Sequence, residues 1–312
     1  MDIFLKSISG ILVILGMILV GFVIGEKGWF DDKSRGLIAK LVTQIALPCY
    51  MLYTITQRFT AADLLKMLPA LRFPALSMVV LLGIATAVAR IFIVRRDRRG
   101  LFISMFFNSN TIFVGLPINQ ALFGDGSIPY VLIYYMCNTT FFWTLGTYLI
   151  QRDGEGEAQF DLKTSVKKVF SPPLMGFILG LVMVMLQIKL PAFLASDLQY
   201  LGNLTTPLSM IFIGLSVSHV GVKQLVLGKD QLLILLGRFV VAPLLMATIV
   251  YWAPLPSLMK QVFIIQSAMP VMTNAPVVAR LYGADSDYAA VMVTETTLAT
   301  MVVIPILMLL MA

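Results

Sequence analysis

The chain has 312 residues, of which 59% are hydrophobic and only 12% are charged, and its mean hydropathy is +0.90. Because about a quarter of the residues in a soluble domain are charged, this composition excludes a water-soluble globular protein and indicates a polytopic membrane protein. The net charge of +7 is therefore interpreted loop by loop, and nucleic acid is not an expected partner. One histidine and two cysteines cannot form a His/Cys metal cluster, so we expect neither a metal site nor a cofactor.

Ten apolar stretches could each form a membrane-spanning helix, which needs about 20 residues. They lie at 7–25, 36–56, 70–94, 100–123, 128–150, 171–188, 197–218, 230–252, 257–281 and 286–311. The most polar segment, 151–170, falls at the middle of the chain and is predicted to be a cytoplasmic linker. The sequence thus predicts an all-α integral membrane protein with five spans in residues 1–150 and five in residues 171–312.

The positions of lysine and arginine predict the orientation of the chain, because cytoplasmic loops are enriched in both. With the N-terminus outside, the inner loops hold 16 of the 23 basic residues and the outer loops hold six, while Arg238 lies inside span eight. We therefore expect both termini to be extracytoplasmic, in a plasma or inner membrane. Arg238 is expected to extend its guanidinium group towards the inner face.

Spans four and nine share a motif that indicates an internal repeat. Pro117 and Pro276 are each followed by four residues, a leucine, an aromatic residue and a glycine, and they are 159 positions apart. Pro48 and Pro207, in spans two and seven, are separated by the same 159 positions. Since each half has an odd number of spans, the second half would be inverted in the membrane. Inverted repeats with corresponding broken helices are typical of secondary transporters.

Prolines and polar residues interrupt both of these spans, in NTIFVGLP at 110–117 and in PVMTNAP at 270–276. A proline inside a helix costs about 3 kcal/mol or more, and in lipid the freed carbonyl groups must face protein or a wet cavity. We predict that both helices are broken and that the two breaks cross. The residues assigned to the breaks and their crossing are Gly115, Pro117, Pro270 and Pro276.

The helix ends at such a crossing would create a small site for an anion. The N-terminus of a half-helix offers unpaired N–H groups and about half a positive charge. A carboxylate would suit this neutral, donor-rich site, and because no arginine is expected near the breaks it would be held loosely. The alternative is that the prolines are packing kinks and that the amides join neighbouring helices. The assigned substrate-binding residues are Asn110, Thr111, Thr273 and Asn274, with Asn108 and Asn138 as further polar residues of the pocket.

Glu295 is the acidic residue predicted to lie deep inside a span, where a charge costs about 2.5–3.5 kcal/mol on insertion scales. It could take up a proton that is coupled to transport, or it could face a polar pocket with neighbouring threonines. Neither break contains aspartate or glutamate, which disfavours a cation/proton antiporter. A sodium-coupled organic-anion symporter stays open, because carbonyl and hydroxyl groups can bind Na⁺.

The interrupted spans resemble those of the auxin efflux carrier family, which includes plant auxin exporters and bacterial malate or malonate permease-like proteins. NTIFVGLP is similar to the family's Asn-Thr-x-x-x-Gly-x-Pro in the fourth span, and AMPVMTNAPVVARLYG at 268–283 is similar to its ninth span. The resemblance covers nearly the whole chain. It implies ten helices in two inverted five-helix repeats, a crossover of broken helices four and nine, a scaffold domain and elevator-type alternating access. It also implies that Asn110 lies in the substrate site.

The sequence and the resemblance together lead to one hypothesis about function. The protein would be a secondary active transporter for small organic anions such as mono- or dicarboxylates, auxin-like acids included. Its partners would be the anion, membrane lipid and either H⁺ or Na⁺ as a coupling ion. A homodimer is compatible with the spacing of small residues in the first helix. An enzyme is not expected, since the sequence carries no HExxH motif and has a single histidine.

Overall fold

A computed structural model describes residues 2–154, 166, 169–220 and 228–311. All the regular elements in these residues are helices, which confirms the prediction of an all-α chain. Most of the predicted linker at 151–170 lies outside the described residues. The first half of the chain contains α1 (Asp2–Glu26), α2 (Asp32–Leu41), α3 (Leu47–Arg58), α4 (Ala61–Met67), α5 (Arg72–Ile91), α6 (Arg99–Phe107), α7 (Gly115–Phe123), α8 (Ile128–Phe141) and α9 (Thr147–Gln151).

The second half contains α10 (Pro172–Met185), α11 (Ala192–Asn203), α12 (Thr205–Val220), α13 (Lys229–Leu236), α14 (Ala242–Tyr251), α15 (Ser257–Ser267), α16 (Ala275–Tyr282) and α17 (Ser286–Met311). Several consecutive helices join into longer ones, because the short segments between them are themselves helical. Within the described chain, five helical segments are long and apolar enough to cross a membrane: Lys33–Arg58, Ala61–Ile91, Ala192–His219, Lys229–Tyr251 and Ser286–Met311. The passage of all ten predicted spans through the membrane, and the inversion of the second half, stay predictions.

Three of the joining segments are π-helical turns, Val42–Ala46, Phe142–Gly146 and Gly237–Val241. Two of them are followed within two residues by a proline, Pro48 and Pro243. Because proline has no N–H, the carbonyl group four residues earlier loses its usual helical partner, and a wider turn accommodates the loss. Single π-turns inside α-helices are frequent at functional sites.

The chain divides into two compact units, and each of them draws on both halves of the sequence. The larger unit comprises Met1–Leu12, Ala70–Val166 and Val220–Ala312, and the smaller unit comprises Val13–Pro69 and Lys167–His219. An inverted repeat is a relation between halves of a chain and requires no compact unit of its own. The division into repeats at 1–150 and 171–312 therefore stays a prediction.

The interior of the larger unit is built around α6. Residues Gly100–Phe107 of this helix are all buried, and the helix packs against α5 and α9. A helix that is apolar on every side is expected to be covered by protein all round. The C-terminal end of α6 therefore brings the first of the interrupted spans into the protein interior.

Candidate functional site

Two spans of the larger unit are interrupted in the structure. Helix α6 ends at Phe107 and α7 begins at Gly115, while α15 ends at Ser267 and α16 begins at Ala275. The longest of these four helices, α15, has 11 residues and reaches about 17 Å at 1.5 Å per residue, short of the roughly 30 Å of a hydrocarbon core. We refer to residues 108–114 as the first break and to residues 268–274 as the second break.

The prolines lie at the starts of the second half-helices and not inside a continuous helix. Pro117 is the third residue of α7, and Pro276 is the second residue of α16. The N–H groups of a first helical turn have no partner within the helix, so a proline there costs little. Its ring nevertheless collides with the carbonyl group four residues earlier, which prevents the preceding helix from continuing across the break.

The two breaks run side by side in opposite directions. Ser109 and Val271 form an antiparallel bridge, and the Asn110 N–H group donates to the Pro270 carbonyl oxygen at 2.8 Å. Pro270 has no N–H group to return this bond, and the Asn110 carbonyl oxygen instead accepts from the Gly115 N–H group at 3.0 Å. The Val271 N–H group donates to the Thr296 hydroxyl of α17 at 3.1 Å. Non-helical backbone inside the larger unit is thus paired, as a site away from bulk water requires.

The side chain of Asn138 of α8 forms two hydrogen bonds to the backbone of the first break, as the backbone of a neighbouring β-strand would. Its Oδ1 accepts from the Ser109 N–H group at 2.9 Å, and its Nδ2 donates to the Ser109 carbonyl oxygen at 2.8 Å. The side chain is fully buried, and both ends of its amide are used. Asn138, predicted as part of a polar pocket, therefore lies at the site and supports its backbone.

Asn110 has a buried amide that is only partly satisfied. Its side chain is 3% exposed, and its Oδ1 accepts from the Phe113 N–H group at 3.2 Å. Within the described residues, its Nδ2 donates no hydrogen bond. Buried polar atoms are nearly always paired, so an exception calls for a partner outside the chain.

Asn108 and Asn119 also have partly satisfied amides, but in these residues the oxygen lacks a partner and the nitrogen is paired. Asn108 Nδ2 donates to the Ser104 carbonyl oxygen at 3.2 Å, and Asn119 Nδ2 donates to the Gly115 carbonyl oxygen at 2.7 Å. Their Oδ1 atoms accept no hydrogen bond from the described residues. Three amides around the first break thus retain unused polar capacity in the protein interior.

The other predicted substrate-binding residues lie on either side of the crossing. Thr111 is buried in the first break, whereas Thr273 and Asn274 are half-buried in the last two positions before α16. Among the described residues, no hydrogen bond joins Thr273 or Asn274 to Asn110. The structure therefore brings the two breaks together through Asn110 and Pro270, with Thr273 and Asn274 at the start of the second half-helix.

Gln266 is a site residue that the sequence analysis missed. It is fully buried in the last turn of α15, and its Nε2 donates to the Thr111 carbonyl oxygen of the first break at 3.3 Å. Gly115 permits this approach, because a Cβ atom there would lie 2.9 Å from both Cδ and Nε2 of Gln266. A glutamine four residues before Pro270, directly after the apolar run 262–265, was the available signal.

Arg238 corrects two expectations. It does not extend to the inner face, and it lies at the breaks, where no arginine was expected. The residue is 0% exposed and belongs to the π-turn Gly237–Val241. Its Nε and Nη2 donate to the Met269 carbonyl oxygen at 3.1 and 2.9 Å, Nη2 also donates to Ser267 at 2.6 Å, and Nη1 donates to Phe106 at 3.1 Å.

The physical reason lies in the ends of α6 and α15. The last carbonyl groups of a helix have no partner within it and carry about half a negative charge. A guanidinium group has five N–H donors in a planar fork, so one buried arginine satisfies carbonyl groups from both helix ends. Gly237 allows the close packing, because a Cβ atom there would overlap the Phe106 ring.

The N-termini of the second half-helices, α7 and α16, keep the partial positive charge of a helix N-terminus. No side chain of the described residues caps the N-terminus of α7 or α16. Arg238 compensates the C-terminal ends, so the uncompensated field at the crossing comes from these two N-termini. An anion is favoured there over a cation.

Glu295 lies in α17, directly before Thr296, which contacts the second break. It is 7% exposed and is flanked by buried threonines, of which Thr296 bonds to Val271. Its position in a threonine-rich interior agrees with both of the roles considered for it, and neither is tested by these contacts.

Known proteins resemble this chain over nearly its whole length. A family model described as membrane transport protein matches residues 7–308. An uncharacterized transporter of Methanocaldococcus jannaschii is 27% identical over 299 residues, which cover 94% of this chain and 95% of that protein. Another uncharacterized transporter, from Methanothermobacter thermautotrophicus, is 26% identical over 312 residues, which cover 97% of this chain and 98% of that protein.

Proposed function

Because the chain belongs to the membrane transport protein family, the auxin efflux carrier family that its sequence resembles, we propose that it is a secondary active carrier of small organic anions. It is a transporter and a multi-pass membrane protein. The proposed cargo is a mono- or dicarboxylate. The observation that carries this proposal is that the buried Nδ2 of Asn110 donates to no described residue. In addition, no described side chain caps the N-termini of α7 and α16, which begin just after the two breaks.

A carboxylate fits the hydrogen-bonding capacity of the crossing. Its oxygens only accept hydrogen bonds, and the Asn110 Nδ2 atom and the N-terminal N–H groups only donate. The Nε, Nη1 and Nη2 atoms of Arg238 already donate to carbonyl oxygens. The anion would therefore be held by neutral donors and helix dipoles, which favours the modest affinity that a carrier needs in order to release its cargo.

We propose elevator-type alternating access for this carrier. The support is that both breaks, together with Asn138, Arg238 and Thr296, belong to the larger compact unit. A site whose supporting contacts all lie in one unit can travel with that unit and keep its geometry. The smaller unit, which includes spans two and seven, would then be the scaffold that the resemblance implies.

The experiment that tests the cargo is thermal stabilisation of the purified protein by malate, malonate, indole-3-acetate, other carboxylates and Na⁺. Asn110→Asp is the informative variant, because it keeps the Oδ1 acceptor for Phe113 and replaces the unused donor with a negative oxygen. Asn203→Asp, at an exposed position at the end of α11, introduces the same charge in the smaller unit, which contains neither break.

We expect a carboxylate to stabilise the wild type and Asn203→Asp but not Asn110→Asp. Losing one hydrogen bond to a charged group costs about 1.5–3 kcal/mol, or roughly 10- to 150-fold in affinity. Equal stabilisation of all three proteins would contradict the proposed site. Stabilisation by Na⁺ alone, unchanged in Asn110→Asp, would instead support the cation-binding alternative.

Coupling to a proton is proposed through Glu295. Uptake of the stabilising carboxylate into liposomes should respond to pH in the wild type, and Glu295→Gln should remove this response because the amide cannot titrate. If uptake by Glu295→Gln keeps its pH dependence and instead requires Na⁺, the carrier is a sodium-coupled symporter.

A further inference from the structure

A polar cavity of the larger unit lies at the opposite end of α6 from the first break. Its volume is about 400 Å³, and it lies between the last turn of α5, the start of α6 and the end of α9. Four arginines and a single carboxylate line it: Arg90, Arg96, Arg99, Arg152 and Asp153. All of these residues are on the predicted cytoplasmic side.

Asp153 is one carboxylate against four arginines, and the backbone at the start of α6 binds it. Its Oδ1 accepts from the Gly100 N–H group at 2.9 Å and its Oδ2 accepts from the Leu101 N–H group at 2.6 Å. Burial raises the pKa of Asp153 above its ordinary value, and these two backbone hydrogen bonds oppose that rise. The carboxylate thus serves as the N-terminal cap of α6.

The arginines of the segment 95–99 divide into two groups. Arg95 pairs with Asp97, and Arg98 pairs with Asp230 at 2.6 Å, so these two charges are compensated outside the cavity. Arg99 is fixed at the cavity wall by hydrogen bonds to the Val94 carbonyl oxygen at 3.3 and 3.0 Å. Arg90 and Arg96 form no ion pair with a described carboxylate. The cavity therefore has more positive than negative charge. The enrichment of cytoplasmic loops in lysine and arginine does not by itself explain why four arginines line one cavity.

Exposed apolar side chains continue from the cavity along the chain. Ile91 is 71% exposed and Ile93 is 80% exposed, directly after Arg90. An arginine-lined pocket beside an apolar surface matches a molecule that has an anionic head and a hydrocarbon chain. Guanidinium groups bind phosphate oxygens in a two-pronged manner, and basic pockets between membrane helices bind lipid headgroups.

We propose that this cavity is a binding site for a phosphoryl group, presented by an anionic phospholipid headgroup whose acyl chains lie along Ile91 and Ile93. The site is separate from the crossing of the breaks. It does not depend on the identity of the transported anion.

Native mass spectrometry of the full chain in mixed micelles tests the proposal. The probes are phosphatidylglycerol, phosphatidylcholine as the neutral lipid, and inorganic phosphate. The double variant Arg90→Gln/Arg152→Gln removes two charges from the cavity wall. Lys40→Gln/Arg280→Gln removes two exposed charges from the same predicted side without touching the cavity.

We expect phosphatidylglycerol to bind about 30-fold more weakly to the cavity variant than to the wild type, because each basic side chain near an anionic lipid is worth about a factor of five. The control variant should bind like the wild type. Competition by inorganic phosphate at millimolar concentration would place the phosphoryl group in the cavity and identify free phosphate as a second source. Equal binding of phosphatidylglycerol to all three proteins, or equal binding of both lipids, would overturn the proposal.

Discussion

The two breaks occupy corresponding positions and have the same length, yet they are held by different chemistry. The first break is buried and is positioned by side-chain amides, Asn138 on Ser109 and Gln266 on Thr111. The second break contains Pro270 and is positioned through its carbonyl groups, which accept from Asn110 and from Arg238. The Val271 N–H group of this break donates to the Thr296 hydroxyl.

The two breaks therefore share an antiparallel backbone route but not the side chains that hold it. One break supplies unused amide groups, and the other supplies carbonyl acceptors that a buried cation satisfies. A ligand at the crossing therefore meets an asymmetric environment, in which Asn110 is its principal side-chain donor. Substitutions that remove one of these contacts at a time should therefore affect the two breaks to different extents.

The largest effect is expected for Arg238→Met. The substitution keeps an unbranched apolar side chain but leaves the carbonyl groups of Phe106, Ser267 and Met269 without their donor. A stranded buried acceptor costs about 1–3 kcal/mol, so the total loss of stability should be about 3 kcal/mol or more. Thermal denaturation of the purified protein measures it.

Arg238→Lys is the matched control for charge. An ammonium group is a point donor and cannot reach carbonyl groups of both helix ends at once, so this variant should recover only part of the loss. A melting temperature of Arg238→Met equal to that of the wild type would mean that the guanidinium group does not hold the breaks.

A smaller loss is expected for Asn138→Leu, which affects the first break alone. The leucine has a similar volume, but the Ser109 N–H group loses its partner, and the Ser109 carbonyl oxygen keeps only the Thr111 N–H group. We expect about 2 kcal/mol of destabilisation and weaker binding of the carboxylate, because Asn110 is the next residue. Thr140→Val on the same helix is the control, since that hydroxyl donates to Met136 of its own helix and is exposed. Comparable losses in both variants would assign the effect to α8 and not to the break.

The sequence was sufficient to predict the helical class and the positions of both interruptions, because apolar stretches and prolines act locally. It was not sufficient to predict which side chains hold the breaks. Arg238 is 31 residues from Met269 and 132 from Phe106, and no local pattern reports such a contact. An arginine between Gly237 and Pro243 in an apolar span was a signal of function that the snorkelling interpretation overlooked. Gln266 was missed because a glutamine inside a membrane span also suits helix packing.

Gly115→Ala should separate the first break from Gln266 of α15 at a moderate cost. The new Cβ atom would displace the end of the Gln266 side chain, and the hydrogen bond from Gln266 to Thr111 would be lost. We expect a destabilisation of about 1 kcal/mol. Gly83→Ala has open space around the new atom and should be neutral or stabilising by about 0.5–1 kcal/mol, as for alanine replacing glycine inside a helix. Opposite signs in thermal denaturation are expected, and equal signs would mean that the Gln266 contact is dispensable.

The smallest effect is expected for Pro276→Ala, and its size distinguishes two explanations of the second break. If Pro276 acts inside a helix, replacing it should stabilise the protein by restoring a hydrogen bond worth a large part of about 3 kcal/mol. At the second position of α16 the restored N–H group has no acceptor within the helix, so the melting temperature should hardly change. Pro305→Ala is the reference, because Pro305 lies in the interior of α17, where its removal should be stabilising. A rise in melting temperature for Pro276→Ala as large as that for Pro305→Ala would show that α15 and α16 tend to form one helix, and that Pro276 alone keeps them apart.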